Sequence, residues 1–276
     1  MLRVLLFVVL FATSLAYANT GDRASVQRIK VIKGNDDQVD MVYYFHSLLE
    51  EALSYSVQEL GPVVLENVNF EHGQNRTFRL LNVPGELDVT YSMTSSEREI
   101  AYLPIKVPLL DGLLGKRQLL VKKANQEKFE GVTEDGLKAM VGCQGDNWPD
   151  SDILEANGYA LYRAEQFESL FHMLERGRCD YFPRGINEIL YDYQKFNGRY
   201  GELHMLDNVM LRYHAPVYFF VGKHNEALAN RIEFGLKIME EQGLIKERLL
   251  QTSAFEFDRT FEQSETLKVF YLTSDN

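Results

Sequence analysis

Residues 103–110 read Leu-Pro-Ile-Lys-Val-Pro-Leu-Leu, and this apolar stretch decides how the chain is organised. Proline lacks a backbone N–H, so two prolines in an extended segment favour a crossover or a sheet edge over a central strand. Strand and helix patterns alternate on both sides of this segment. The sequence therefore predicts two α/β units, with the segment as a connection between them.

The chain before the segment alternates between strand and helix patterns. Apolar residues at helical spacing predict a helix over 39–57, and a weaker helix follows at 74–81. Strand patterns occupy 26–33, 63–70 and 85–91. This order of strand, helix, strand, helix, strand is typical of a parallel sheet with covering helices.

After the segment, strand and helix patterns alternate again, and the chain then crosses between the two units a second time. Its predicted elements are strand 117–122, helical turn 134–138, strand 139–143, helix 150–157, strand 158–162, helix 164–176, strand 179–182 and helix 186–196. Strand patterns at 204–210 and 213–221 precede a clear helix at 227–242. We expect the second crossover near 207–219.

These patterns predict the α/β class: two lobes, each a mainly parallel sheet flanked by helices, joined by two hinge crossovers. Lobe 1 is expected to be discontinuous and to consist of 19–108 and 208–276. Lobe 2 is expected to span 109–207. The last helices then return to pack on one of the lobes.

Residues 1–18 have the composition of a secretory signal peptide. Arg3 precedes the apolar run 4–11, and Ala16-Tyr17-Ala18 has the small-x-small pattern of a cleavage site. The run is too short to cross a bilayer as a helix, and the alternative interpretation is a buried N-terminal strand. We expect cleavage after Ala18 and export to the periplasm.

The composition limits the classes of molecule that the protein can bind. The 276-residue chain is 45% hydrophobic and 25% charged, as in globular proteins and unlike disordered ones. Its net charge of −11 argues against nucleic-acid binding, which requires a basic face against phosphate. The six histidines have no metal-ligand spacing, and neither a nucleophile elbow nor a phosphate loop is present. We expect a monomer without a cofactor and without catalytic residues.

The two cysteines, Cys143 and Cys179, leave two interpretations open. Export to an oxidising compartment would permit a disulfide between them. Both are predicted to lie in central strands, near opposite ends, which favours buried free thiols that behave as small hydrophobic side chains.

The polar residues that follow the predicted strands are the candidates for a binding site. Ligands of parallel α/β sheets bind outside the carboxyl ends of the strands. Those ends fall at 34–36, 92–96, 144–148 and 183–184. Two facing lobes would bring all four ends to one cleft, which a hinge motion could close around a small ligand.

Four stretches resemble the type II periplasmic solute-binding proteins, and most closely the family 3 extracellular (amino-acid-binding) branch. They are residues 85–99, 103–109, 142–150 and 174–184. The last two are similar to a less characterised proteobacterial subgroup, and the likeness covers about residues 25–255. The resemblance implies a two-lobed protein that captures a small solute and delivers it to an inner-membrane ABC permease.

Arg98 is the strongest candidate for ligand contact in the sequence. A guanidinium matches a carboxylate in bidentate geometry, and in the amino-acid-binding branch the matching arginine holds the ligand α-carboxylate. The hydroxyls beside it, which could add donors, belong to Thr94, Ser95 and Ser96. The loop before Arg98 is about one residue shorter than the usual family pattern. The alternative is a solvated arginine paired with Glu97 or Glu99.

The remaining candidates come from other strand ends. Where the family commonly has a carboxylate for the ligand ammonium, this chain has Arg184, which favours an anionic group or caps the following turn. Asp36 could meet an ammonium or cap a helix. Trp148 is expected to stack on the ligand or to plug the second lobe. Tyr91 and Gln144 are candidates for ligand contact, with packing and turn roles as alternatives.

Three functions are compatible with these patterns. The first is a periplasmic protein that binds a small anionic or zwitterionic solute for uptake. The second is a ligand sensor that docks on a membrane receptor or kinase. The third is a small secreted enzyme, such as a dehydratase, on the same scaffold, since a fold does not determine function. The absence of an evident acid/base pair in the sequence favours the first two.

Overall fold

The structure is a computed structural model that describes residues 26–33, 39–69 and 73–274. The expected signal peptide and Asp36 lie outside the described residues. No helix within these described ranges is long and apolar enough to cross a membrane.

The predicted strands and helices are present in the predicted order with small shifts in their bounds, and the structure adds short helices that the patterns do not predict. The strands are β1 Gln27–Ile32, β2 Val63–Val68, β3 Val89–Met93, β4 Leu103–Ile105, β5 Lys116–Lys122, β6 Val141–Gly145, β7 Ala160–Ala164, β8 Tyr181–Gly185, β9 Leu203–Arg212, β10 Val217–Val221 and β11 Lys268–Tyr271. The helices are α1 Val39–Ser54, α2 Val57–Leu60, α3 Gln74–Leu81, α4 Ser96–Ala101, α5 Glu134–Lys138, α6 Pro149–Ala156, α7 Phe167–Glu175, α8 Ile189–Phe196, α9 Glu226–Glu241, α10 Leu244–Leu249 and α11 Ser253–Phe261.

The strands form two sheets, one in each lobe. The first has the order β2-β1-β3-β10-β4, and the second has the order β11-β9-β5-β8-β6-β7. In the first sheet β1 is parallel to β2 and β3, and in the second β6 is parallel to β7 and β8. The strands β5 and β10, which each follow a crossover, run antiparallel to their neighbours. The two-lobed α/β architecture is therefore confirmed.

The proline-containing stretch forms β4 and the start of the first crossover. β4 lies at the edge of the first sheet. An edge strand has no neighbour on its outer side, so the sheet loses no strand pairing there because Pro104 lacks an N–H. β3 begins four residues later than the pattern predicts, because the backbone turns at Gly85 with φ of +83°. The N–H of Lys30 donates to the Asp88 carboxylate, which ends the turn at the sheet.

Sheet membership differs from the expected lobe boundaries at two places. Residues 208–212 continue β9 in the second sheet, and the C-terminal β11 pairs with β9 there. The last residues of β9 pair with β5 at 210–212 and with β11 at 209–212, so the second crossover begins only after Arg212.

The first lobe buries α1 and α9 together against its sheet. α1 places Tyr44, Phe45, Leu48 and Leu49 in the core, all less than 5% exposed. A Cβ on Gly235 of α9 would lie 1.9 Å from the carbonyl oxygen of Ala52 on α1. Only glycine therefore permits this close approach of the two helices.

The two cysteines form a disulfide, so the expectation of free thiols was wrong. Cys143 lies in β6, and Cys179 precedes β8 rather than lying within it. The N–H of Asp180 donates to the carbonyl of Val141, so the chain before β8 runs beside β6. This brings the two Cα atoms to 5.5 Å, a normal separation for a disulfide.

Candidate functional site

A cavity of about 400 Å³ lies between the two lobes and receives side chains from both. The first lobe contributes Phe45, Gln74, Tyr91, Ser92, Met93 and Val217. The second lobe and its crossover contribute Leu110, Leu114, Arg117, Trp148, Pro149, Asp150, Phe167, Arg184, Asn187 and Glu188. We call this space the polar cavity, and it opens toward a wider cleft mouth of about 1450 Å³.

Two strands of the second lobe each place a buried arginine in the polar cavity. Arg117 at the start of β5 is 1% exposed and forms an ion pair with Asp150. The Tyr213 hydroxyl donates to the same carboxylate over 2.7 Å. Burial alone would lower the pKa of Arg117, but Asp150 and the neighbouring acids raise it. Arg117 is therefore a permanent cation with its own carboxylate.

Arg184 near the end of β8 has a second dedicated carboxylate. Its Nε donates to Asp192 of α8 over 2.5 Å, and Asp192 is fully buried. The guanidinium lies 5.0 Å from the ring centre of Trp148 and 5.1 Å from that of Phe167. Burial raises the pKa of Asp192 to about 6, although the charge of Arg184 acts in the opposite direction.

Glu188 connects the two arginines. Its Oε2 lies 3.4 Å from Arg117 Nη1 and 3.1 Å from Arg184 Nη2, and it accepts the backbone N–H of Gly185. All these contacts use Oε2. Oε1 has no partner among the described residues, and the side chain is 30% exposed. Asp150 and Glu188 both line the polar cavity, and Glu188 is the more exposed of the two, with 30% of its side chain exposed against 8% for Asp150.

Trp148 and Tyr91 form aromatic walls of the polar cavity. Trp148 is half-buried and packs against Phe167 and Phe182 of the second lobe. Tyr91 stacks on Phe45 with 3.8 Å between ring centres. Both rings line the polar cavity and give a ligand apolar surface to contact.

Arg98 is buried in the first lobe, and its contact with a ligand remains a prediction. It lies on the short helix α4, its exposure is 6%, and it lines neither the polar cavity nor the mouth. Its guanidinium donates to Ser92 Oγ, the Met93 carbonyl and Gln74 Oε1, and reaches the Asn147 carbonyl across the cleft at 3.5 Å. Burial lowers the pKa of Arg98 to about 10, so it stays charged at neutral pH.

The three hydroxyls beside Arg98 have local roles. Thr94 Oγ1 donates to Glu99, and Ser95 Oγ caps α4 by accepting the N–H of Arg98. Ser96 is exposed in the first turn of α4. None of the three lines the polar cavity or the mouth. Their contact with a ligand remains a prediction.

Gln144 is also set back from the cavity. It is fully buried in β6, and neither its Nε2 nor its Oε1 has a hydrogen-bond partner within the described part of the chain. Its neighbour Gly145 is where β6 meets Trp148: a Cβ there would lie 2.4 Å from the indole ring.

Sequence reasoning missed three charged residues of the cluster. The sequence patterns single out neither Arg117 nor Glu188, and they give Asp150 only as the first residue of a predicted helix. The available signals were weak: Glu188 follows Arg184 by four residues, and Arg117 is a charged residue at the start of an apolar strand. Pairing between these segments depends on the sheet order, which places β5 beside β8.

A second cavity of about 360 Å³ adjoins the polar cavity. The two share Phe45, Tyr91, Asn187 and Glu188 as a common wall. The second cavity extends from this wall toward Met41 of α1, Leu190 of α8 and Ala254 of α11. Its remaining lining also includes Ile186, Tyr191, Gln194 and Ser253. We call it the apolar cavity because the hydrocarbon part of its surface is larger than the polar part.

No protein-family model matches the sequence, and no curated protein sequence matches it either. Solved structures do match. A histidine kinase sensor domain with similarity to periplasmic binding proteins has a TM-score of 0.57 at 14% identity, covering 84% of this chain and 97% of that chain. A mutant of ArgBP from T. maritima has a TM-score of 0.53 at 16% identity, covering 82% and 94%.

A third match is the ancestral amino acid-binding protein AncCDT-1, a precursor of cyclohexadienyl dehydratase. Its TM-score is 0.52 at 16% identity, and the match covers 82% of this chain and 94% of that chain. At these identities the comparisons show the fold alone. The chain has the two-lobed fold of the periplasmic binding proteins.

Proposed function

We propose that this protein is a periplasmic solute-binding protein that captures a small amino-acid-like or carboxylate ligand between its lobes. The observation that carries the proposal is the polar cavity, which joins an arginine–carboxylate cluster and two aromatic walls from opposite lobes. Clefts of this volume with a few convergent polar groups are typical small-molecule sites. Tyr91, Trp148 and Arg184 are the proposed contacts.

In this proposal the protein binds without turnover and delivers its ligand to an inner-membrane ABC permease. Support comes from the fold, since amino-acid-binding proteins are among the structures that it resembles. Arg98 acts as a positioning residue that holds Gln74 at the rim of the polar cavity.

The test is ligand-dependent stabilisation across a panel of L-amino acids and small carboxylates. A ligand that binds the native state at 100 times its Kd raises the unfolding free energy by about 2.7 kcal/mol. Tyr91→Ala should lose the thermal shift, each variant being compared with its own unliganded midpoint. Tyr162→Ala is the matched control, because Tyr162 is an exposed tyrosine of β7 outside the cleft. A panel in which no compound shifts the wild-type midpoint would refute the proposal.

A sensor role is the second candidate, and the likeness to a histidine kinase sensor domain favours it. It uses the same cleft but a different membrane partner. Cross-linking of the liganded protein in native membranes separates the two roles, because capture of a permease supports transport and capture of a kinase supports sensing.

A further inference from the structure

The polar and apolar cavities share one wall, and Glu188 stands on it. This inference rests on the proposed function, because it concerns what the same cleft recognises. Each arginine of the cluster has its own buried carboxylate: Arg117 has Asp150 and Arg184 has Asp192. Glu188 is the additional acid.

The free oxygen of Glu188 defines the charge of the ligand group that it can receive. Oε2 is shared by both guanidinium groups and the Gly185 N–H, so Glu188 is held in place. Oε1 has no partner among the described residues and can only accept hydrogen bonds when ionised. A ligand ammonium supplies donors and charge for this oxygen, whereas a ligand carboxylate would meet it with repulsion.

The apolar cavity defines the other part of the ligand. Its hydrocarbon surface comes from Phe45, Tyr91, Met41, Ile186, Leu190 and Ala254, and Tyr191, Gln194 and Ser253 also line it. Its volume of about 360 Å³ is additional to that of the polar cavity, and both begin at the wall that carries Glu188. A ligand whose charged group binds Glu188 can therefore extend an aliphatic chain or a ring into it.

We infer that the cleft recognises an ammonium group joined to an apolar chain or ring, with the ammonium on Glu188 and the apolar part in the apolar cavity. Amines and α-amino acids with apolar side chains share this chemistry. Carboxylates without an amine lack the ammonium group, and small hydrophilic amino acids lack the apolar part.

The test measures affinity through the fluorescence of Trp148, the chain's one tryptophan, which lines the polar cavity. The probes are n-pentylamine, methylamine, pentanoate, L-leucine and glycine. We expect n-pentylamine to bind at least tenfold tighter than methylamine and pentanoate, and L-leucine tighter than glycine. Each added methylene should tighten binding about threefold to fourfold.

Two variants test the ammonium-binding part and the apolar part of the site separately. Glu188→Gln should weaken n-pentylamine and L-leucine at least tenfold, while Glu233→Gln, on the surface of α9, should change neither. Ala254→Leu adds volume inside the apolar cavity and should remove the dependence on chain length while leaving methylamine unchanged. The order of the wild-type affinities tests the inference even if a variant fails to fold.

The outcomes separate this inference from the proposed function. Tighter binding of pentanoate than of n-pentylamine, affinity independent of chain length, or a Glu188→Gln variant equal to wild type would each overturn the inference. If glycine or a carboxylate binds and Tyr91→Ala abolishes that binding, the proposed function still stands. If no compound binds, both are refuted.

Discussion

The position of the Trp148 ring depends on a glycine that leaves room for it. The indole ring packs on Gly145, and a Cβ at that position would overlap ring atoms at 2.4 Å. Movement of the ring is restricted, because Trp148 also packs against Phe167 and Phe182. One glycine in β6 therefore sets the position of an aromatic wall of the cleft.

We expect Gly145→Ala to displace the indole ring and to lower stability by about 1 to 3 kcal/mol, as is usual for overpacking. Tryptophan emission and the urea midpoint measure the two effects. Gly73→Ala is the control, since a Cβ there meets nothing within 4 Å and its φ of −61° suits alanine. It should leave the tryptophan emission unchanged, and its effect on the urea midpoint should be smaller, because it alters only the N-cap of α3. Unchanged emission and midpoint in Gly145→Ala would contradict the role given to this glycine.

Asp192 is the residue whose ionisation should affect stability most visibly. Burial raises its pKa in the folded state to about 6, above the value of about 3.9 for an aspartate in water. The folded protein therefore binds a proton that the unfolded chain has already lost between these two values. Stability from this group falls as the pH rises through that window.

Relative to Asp192→Asn, the wild type should lose on the order of 2 to 3 kcal/mol between pH 4 and pH 6.5. Urea unfolding of both proteins across this range measures the difference. The control is Asp207→Asn, because Asp207 is exposed on β9. A constant difference between the wild type and Asp192→Asn over the whole range would show that Asp192 has no raised pKa.

At the scale of elements, the disulfide ties β6 to the chain that enters β8. β6 also carries Gly145, on which Trp148 packs, and β8 carries Arg184, so the bond ties together two strands that hold residues of the polar cavity. Both cysteines are buried, at 0% and 2% exposure, among the side chains of α7 and α8. The bond thus supports the second lobe from inside its core.

The double variant Cys143→Ala/Cys179→Ala should lose up to about 4 kcal/mol, the loop entropy for a separation of 36 residues. Denaturant unfolding measures the loss. Alkylation with mass detection should label the wild type only after reduction and denaturation. Labelling of unreduced, unfolded wild type, or a midpoint unaffected by loss of both sulfurs, would disprove the bond's contribution.

At the scale of the whole molecule, two connections join lobes that face one cleft. The chain passes from β4 to β5 and from β9 to β10, and the cleft contact between Arg98 and Asn147 links the facing edges. Such an arrangement permits closure by rotation about the two crossovers. A ligand that binds both lobes stabilises the closed form by its differential affinity for it.

We therefore expect the radius of gyration in solution to decrease when a stabilising ligand is added. Small-angle X-ray scattering with and without the ligand measures the change. The control is a panel compound that gives no thermal shift, which should leave the radius unchanged. An identical radius with and without a tightly bound ligand would exclude closure as the response to binding.

The sequence by itself determined the order of strands and helices, the two lobes and the edge position of Pro104. These follow from local causes: the period of apolar residues, the missing N–H of proline and the breaks at glycine. The observed start of β3 differs from the predicted one, because a turn that ends at the contact of Asp88 precedes the strand. The short helix α4 was not predicted, although Ser95 caps it.

Only the tertiary structure decided the chemistry of the cleft. Arg117, Asp150 and Glu188 come from separate segments and meet because β5 lies beside β8, a pairing that no local pattern specifies. Arg98 follows a strand end as predicted, but its guanidinium is held by Gln74, Ser92 and Met93 inside the first lobe. Local periodicity determines elements, whereas the direction, burial and partner of a charged side chain depend on residues distant in sequence.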